Sequence, residues 1–148
     1  MKQKSGSSLD PYSRPRTWLT LYVVALSLIA FWPRHVDEAL SPWIRRVVKY
    51  VPLVTYDRIE FAANVGLFVP FGLLLAFMLV QHRYLVLPIA FIATVTIESV
   101  QEVLLDNRTS SMRDIIANTA GACIGLVLAV VIETAQQRAK QRRATPDQ

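Results

Sequence analysis

Residues 61–81 read FAANVGLFVPFGLLLAFMLVQ, 21 positions without a charged side chain. A helix of about 20 apolar residues crosses the ~30 Å hydrocarbon core of a bilayer, and this run has that length. It does not alternate apolar with polar residues, as an outer-membrane strand would. Three further runs surround it. Residues 17–33 carry no charge, residues 84–97 carry none and continue in apolar rhythm to Leu105, and residues 115–132 carry none. Together they predict an all-α, four-span transmembrane bundle with spans at about 17–33, 59–80, 84–105 and 114–133. Composition agrees. Of 148 residues, 53 % are hydrophobic and 18 % charged, against about 25 % charged in an ordinary soluble domain. That deficit excludes a soluble globule, a disordered chain and a DNA-binding module. The net charge of +5 is gathered in blocks between uncharged runs, which reads as membrane flanks and not as a nucleic-acid surface.

The flanks set the expected domain plan: a basic leader at 1–16, a transmembrane domain at 17–133 and a basic polar tail at 134–148. The leader is rich in Ser, Gly and Pro and is expected to be disordered. Its Lys2, Lys4, Arg14 and Arg16 resemble the n-region of a signal peptide. The following run, however, ends in Phe31-Trp32-Pro33 without a small-x-small cleavage site, so an uncleaved anchor is expected. With four spans both termini share a side. Leader, tail and the turn at Arg83 hold nine Lys and Arg residues, the other two loops seven. The excess places both termini in the cytoplasm. Arg138, Lys140, Arg142 and Arg143 then face the anionic inner leaflet, or form a solvated charge run. The single Cys123 forms no intrachain disulfide and reads as a small packing residue.

Between the first two spans, Ser41-Pro42 is a good helix start. Leu40, Trp43, Ile44, Val47, Val48 and Val51 fall on one helical face, Arg45, Arg46 and Lys49 on the other, and Pro52 ends the pattern. This predicts a short amphipathic helix in the headgroup layer. A helix that merely packs over the span ends is the plainer alternative.

Polar side chains inside spans carry the functional argument, because an Asp at a helix centre costs about 2.5–3.5 kcal/mol to insert. Such residues face protein or water and tend to mark function. Glu60 and Asn64 open the second span one turn apart. Glu98 and Gln101 are neighbours in the third, with Glu102 a turn beyond Glu98. Asp114 and Asn118 open the fourth. The second span starts, the third ends and the fourth starts at the same face. Asn64, Glu98 and Asn118 are therefore expected at similar depth, roughly 6–10 Å inside, with Arg108 in the loop above. Two readings stay open. The group is a polar knot that holds the bundle together, or a pocket for a polar headgroup. Gly121-x3-Gly125 permits close helix approach. Pro70 and Pro88 are expected to kink or loosen their spans. Phe68, Phe71 and Phe77 read as packing or lipid-facing residues.

These residues carry a family resemblance. Asn64, Phe68, Pro70 and Gly72 fit Asn-x3-Phe-x-Pro-x-Gly. Glu98 and Gln101 fit Glu-x2-Gln. Arg108 follows in the short loop, and Asp114, Asn118, Gly121 and Gly125 fit Asp-x3-Asn-x2-Gly-x3-Gly. The chain resembles the VanZ-like family of membrane proteins. Where that family often has Ser a turn before the Glu, this chain has Thr94, which keeps the hydroxyl. The resemblance implies a bacterial cytoplasmic-membrane protein of the cell envelope. The family's named member is associated with resistance to the glycopeptide teicoplanin, and others accompany surface-polysaccharide assembly.

The function expected first is binding. Asn64, Glu98, Gln101, Arg108, Asp114 and Asn118 would hold a lipid headgroup, a lipid-linked glycan carrier or a lipoglycopeptide near the outer face, while Gly72, Gly121 and Gly125 pack helices. Expected partners are membrane lipids, and a lipid-linked envelope precursor or an envelope-assembly protein; nucleic acid is not among them. The alternative is an intramembrane enzyme on a lipid-linked phosphate, with Glu98 and Asp114 as acid and base. Against it, His35 and His82 lie in loops, and Cys123 has no base near it in sequence. A Mg²⁺ site from Glu98, Glu102, Asp106 and Asp114 is weighed against solvated loop ends; no metal or other cofactor is expected. Transport ranks last, since no internal repeat is visible and the polar group lies off-centre.

Overall fold

The computed structural model of the chain describes residues 13–31, 55–104 and 111–144. Four helices make up the described residues: α1 (Ser13–Ala30), α2 (Tyr56–Met78), α3 (Val86–Leu104) and α4 (Met112–Ala144), with one 3-10 turn at Arg83–Leu85 before α3. No strand occurs among the described residues. The predicted interfacial helix at 41–51 lies outside them, as do Arg108 and Asp106.

The element ends follow local chemistry. α1 opens at Ser13, ahead of the expected residue 17, because Pro15 falls in a first turn that has no need of its amide proton. In α2, Thr55 takes the extended N-cap conformation and its carbonyl accepts the amides of Arg58 and Ile59. Asp57 in the first turn suits the positive end of the helix dipole. Pro88 proves not to lie mid-span. It is the third residue of α3, where a proline breaks no hydrogen bond. Pro70 does lie inside α2, and the helix continues through it. α4 runs on to Ala144, so the expected basic tail is largely helical, with Arg142 and Arg143 in its last turn.

Three segments are long and apolar enough to cross a membrane: Asp57–Met78, Arg83–Leu104 and Met112–Arg143. The apolar part of α1, Arg16–Ala30, is shorter, about 22 Å of helix. Exposed faces are strongly apolar. Leu21, Val24 and Leu28 on α1, Ile89, Phe91 and Ile92 on α3, and Val127, Leu128 and Val131 on α4 all face outward. Cys123 is exposed as well, which corrects its reading as a packing residue. Meanwhile Thr94, Glu98, Gln101 and Asn118 are buried. Apolar outside with polar groups inside is the arrangement that lipid selects, since helices already satisfy their own backbone.

The helix order sets the directions. α2 packs most extensively on α4. Gly121 meets Val65 and Phe68, while Gly125 meets Val69 and Leu73, so rising positions on one helix meet rising positions on the other. α2 and α4 therefore run the same way, and α3 returns between them. The approach is backbone to backbone. A Cβ on Gly72 would stand 2.6 Å from the Ala122 Cα, and one on Gly125 2.5 Å from the Leu73 N. Phe68 and Phe71 sit edge to face at 5.5 Å in the core beside this seam. α1 leans on α2, where the Tyr22 hydroxyl donates to the Leu67 carbonyl. That carbonyl lies in the turn disturbed by Pro70.

Candidate functional site

α3 buries one stripe: Val86, Ala90, Thr94, Glu98 and Gln101. The spacing of four, four, four and three keeps these residues on one helical face. The stripe is apolar toward the α2–α3 turn and polar toward the C-terminal end of α3. Opposite its polar half stand the first two turns of α4.

Residues 111–118, at the start of α4, gather the bonds. Glu98 accepts the backbone amide of Ser111 at 3.0 Å. Ser111 immediately precedes α4, and its carbonyl accepts the amides of Asp114 and Ile115. A carboxylate from α3 thus caps the amino end of α4, where the helix dipole favours negative charge. From the other side Asn64 Nδ2 donates to Asp114 Oδ1 at 2.7 Å. One turn deeper, Asn118 Nδ2 donates to Thr94 Oγ1 at 2.7 Å, and this bond is buried. At the outer edge Gln101 Nε2 donates to the Ala30 carbonyl at 2.8 Å, tying the end of α1 to α3. Arg113 pairs with Asp57 at 3.1 Å on the exposed rim.

Asn64, Glu98 and Asn118 are thus brought to one end of the bundle, each through α4. Asn64 bonds Asp114, Glu98 bonds the Ser111 amide and Asn118 bonds Thr94. These bonds form successive rungs, with Asn118 a turn deeper than Asp114. Gln101 and Asp114 join the same end, and Arg108 is outside the described residues. Glu60 and Glu102 are exposed. Among the described residues no group of three His, Cys, Asp or Glu side chains is placed to hold a metal ion. Two contributors escape the sequence reading as site members. Thr94 announces itself only by its spacing to Glu98 and Gln101. Ser111 acts through its backbone, which no residue type reveals.

The thiol and imidazole of the described residues are elsewhere. Cys123 faces outward, and His82 sits edge-on to Tyr84 near the opposite end of the molecule. At that end Arg83 also pairs with Glu133. The polar end is therefore equipped to accept and donate hydrogen bonds and to present two carboxylates.

A family model described as VanZ/LLP1 matches residues 17–133. The chain belongs to the VanZ/LLP1 family. All four helices contribute to the matched stretch, and so do the polar rungs and the glycine seam. No curated protein and no solved structure matches the chain. In this VanZ/LLP1 protein the polar end gathers the buried hydrogen-bonding side chains.

Proposed function

We propose that this VanZ-like chain is a four-span protein of the bacterial cytoplasmic membrane that binds the polar head of an amphiphile at the polar end of its bundle. α1 supplies the fourth span, extended by Phe31, Trp32 and Pro33, which continue its apolar run. The segment at 41–51 lies as an amphipathic helix in the headgroup layer. The count of Lys and Arg favours both termini in the cytoplasm, which turns the polar end outward. There it serves envelope assembly or glycopeptide resistance, with a lipid headgroup, a lipid-linked glycan carrier or a lipoglycopeptide as ligand.

One observation carries the reading. Thr94, Glu98, Gln101 and Asn118 are buried at a single end of a bundle whose α1, α3 and α4 turn large apolar side chains outward. A bundle needing only adhesion is served by the small-residue seam between α2 and α4. A carboxylate and two amides exceed that need.

The test is what copurifies. Native mass spectrometry of the wild type is expected to show a retained amphiphile that is lost in Glu98→Gln and in Arg108→Gln. Equal retention by all three proteins, with folding intact, overturns the reading. Turnover of a lipid-linked phosphate by the purified protein, abolished in Glu98→Gln, would replace it with the enzymatic alternative.

A further inference from the structure

Gln101 and Asn118 are 3 % and 5 % exposed, and each uses only half of its amide. The Gln101 Nε2 is spent on the Ala30 carbonyl. That partner is an acceptor only, so the side chain must present its NH₂ there and its oxygen elsewhere. The Asn118 Nδ2 is spent on Thr94 Oγ1. Both amide oxygens, Oε1 of Gln101 and Oδ1 of Asn118, are buried without a hydrogen-bond partner among the described residues. Buried amide oxygens are seldom left so, because each forfeits its hydration, and lipid offers no substitute donor.

The neighbouring chemistry has the same sign. Glu98 and Asp114 are acceptors too: Glu98 accepts from Ser111 N and Asp114 from Asn64 Nδ2. Arg113, a cation at this end, is occupied on the rim by Asp57. The two amide oxygens are therefore set among other acceptors. The polar end is also elongated. Asn118 bonds at Thr94, and Gln101 lies seven residues on, about 10 Å along α3.

We propose that the headgroup bound at this end presents several hydroxyl donors along its length, as a sugar or glycerol does, and that its hydroxyls bond Gln101 Oε1 and Asn118 Oδ1. This rests on the headgroup reading above and narrows its chemistry. A bare phosphate brings acceptors to acceptors. An ethanolamine ammonium gathers its three N–H donors on one atom and does not cover two oxygens set two helical turns apart.

The test is competition on the purified full chain. Three lipids with the same dioleoyl chains are offered in equal amounts: monoglucosyl-diacylglycerol, phosphatidic acid and phosphatidylethanolamine, with diacylglycerol as the headless control. Retention is read by native mass spectrometry. The glucosyl lipid is expected to be held at least about fivefold over each of the others, the scale of one neutral hydrogen bond. The preference is expected to shrink in Gln101→Leu and in Asn118→Leu. Where a variant does not fold, the wild-type competition decides alone. Phosphatidic acid or phosphatidylethanolamine held as well as the glucosyl lipid overturns the hydroxyl inference and leaves the headgroup reading standing. All four held alike overturns both, and water is then what meets the two oxygens.

Discussion

At the scale of the residue, the glycines of α2 divide into two kinds. Gly72 lies where α2 meets α4, and on the α4 side Gly125 has no room for a methyl group, because its Cβ would stand 2.5 Å from the Leu73 N. Backbone cannot give way as a side chain can. Gly125→Ala is therefore expected to cost about 1–3 kcal/mol as overpacking, read as a lower midpoint in detergent unfolding. Gly66 has nothing within 4 Å of its Cβ position. Gly66→Ala is expected to be neutral or to stabilise by up to about 1 kcal/mol, from helix propensity alone. A result in which both variants lose stability alike would refute the seam. The buried Asn118–Thr94 bond gives a second residue-scale prediction. A double-mutant cycle with Asn118→Leu and Thr94→Val is expected to show coupling of about 0.6 kcal/mol and no more than ~1.7, as for other interhelical bonds in membranes.

At the scale of the element, α1 stands apart from the other helices. Its apolar part is the shortest, and two of its hydrogen bonds reach its neighbours: Tyr22 to the Leu67 carbonyl and the Ala30 carbonyl from Gln101. Such an element opens before the core does. Tyr22→Phe is expected to raise hydrogen exchange across 16–30 while exchange across 112–130 stays as in the wild type. Equal change in both segments would mean that the bundle opens as one unit. α4 shows the opposite character. Its 33 residues extend about 50 Å, so its last turns project past the pair formed by Arg83 and Glu133. The helix carries both the polar rungs at its start and a charged, exposed end, which explains how one element can serve two chemically different faces.

At the scale of the whole molecule, the alternation of direction places the starts of α2 and α4 and the ends of α1 and α3 together. Orientation in the membrane then decides which compartment sees the polar end. Met112 is exposed beside it. In a Cys123→Ser background, Met112→Cys is expected to react with an impermeant maleimide added to intact cells, and Gln148→Cys only after permeabilisation. The reverse pattern would invert the proposed topology and turn the polar end to the cytoplasm.

Charge-free runs determined the helices, because a chain in hydrocarbon must close its backbone hydrogen bonds within each segment. Short-range spacing also determined which polar residues share a face, since the helical repeat puts Glu98 beside Gln101 and Asp114 beside Asn118. The glycine pattern and the order of motifs were legible for the same reason. What spacing could not supply was pairing across helices. That Glu98 meets a backbone amide of the next helix, and that Asn118 sits a turn below and finds Thr94, depend on the rotation and axial offset of each helix. So does the outward face of Cys123. Those two degrees of freedom are set by long-range packing of α2 on α4 at their glycines, and only the folded bundle decides them.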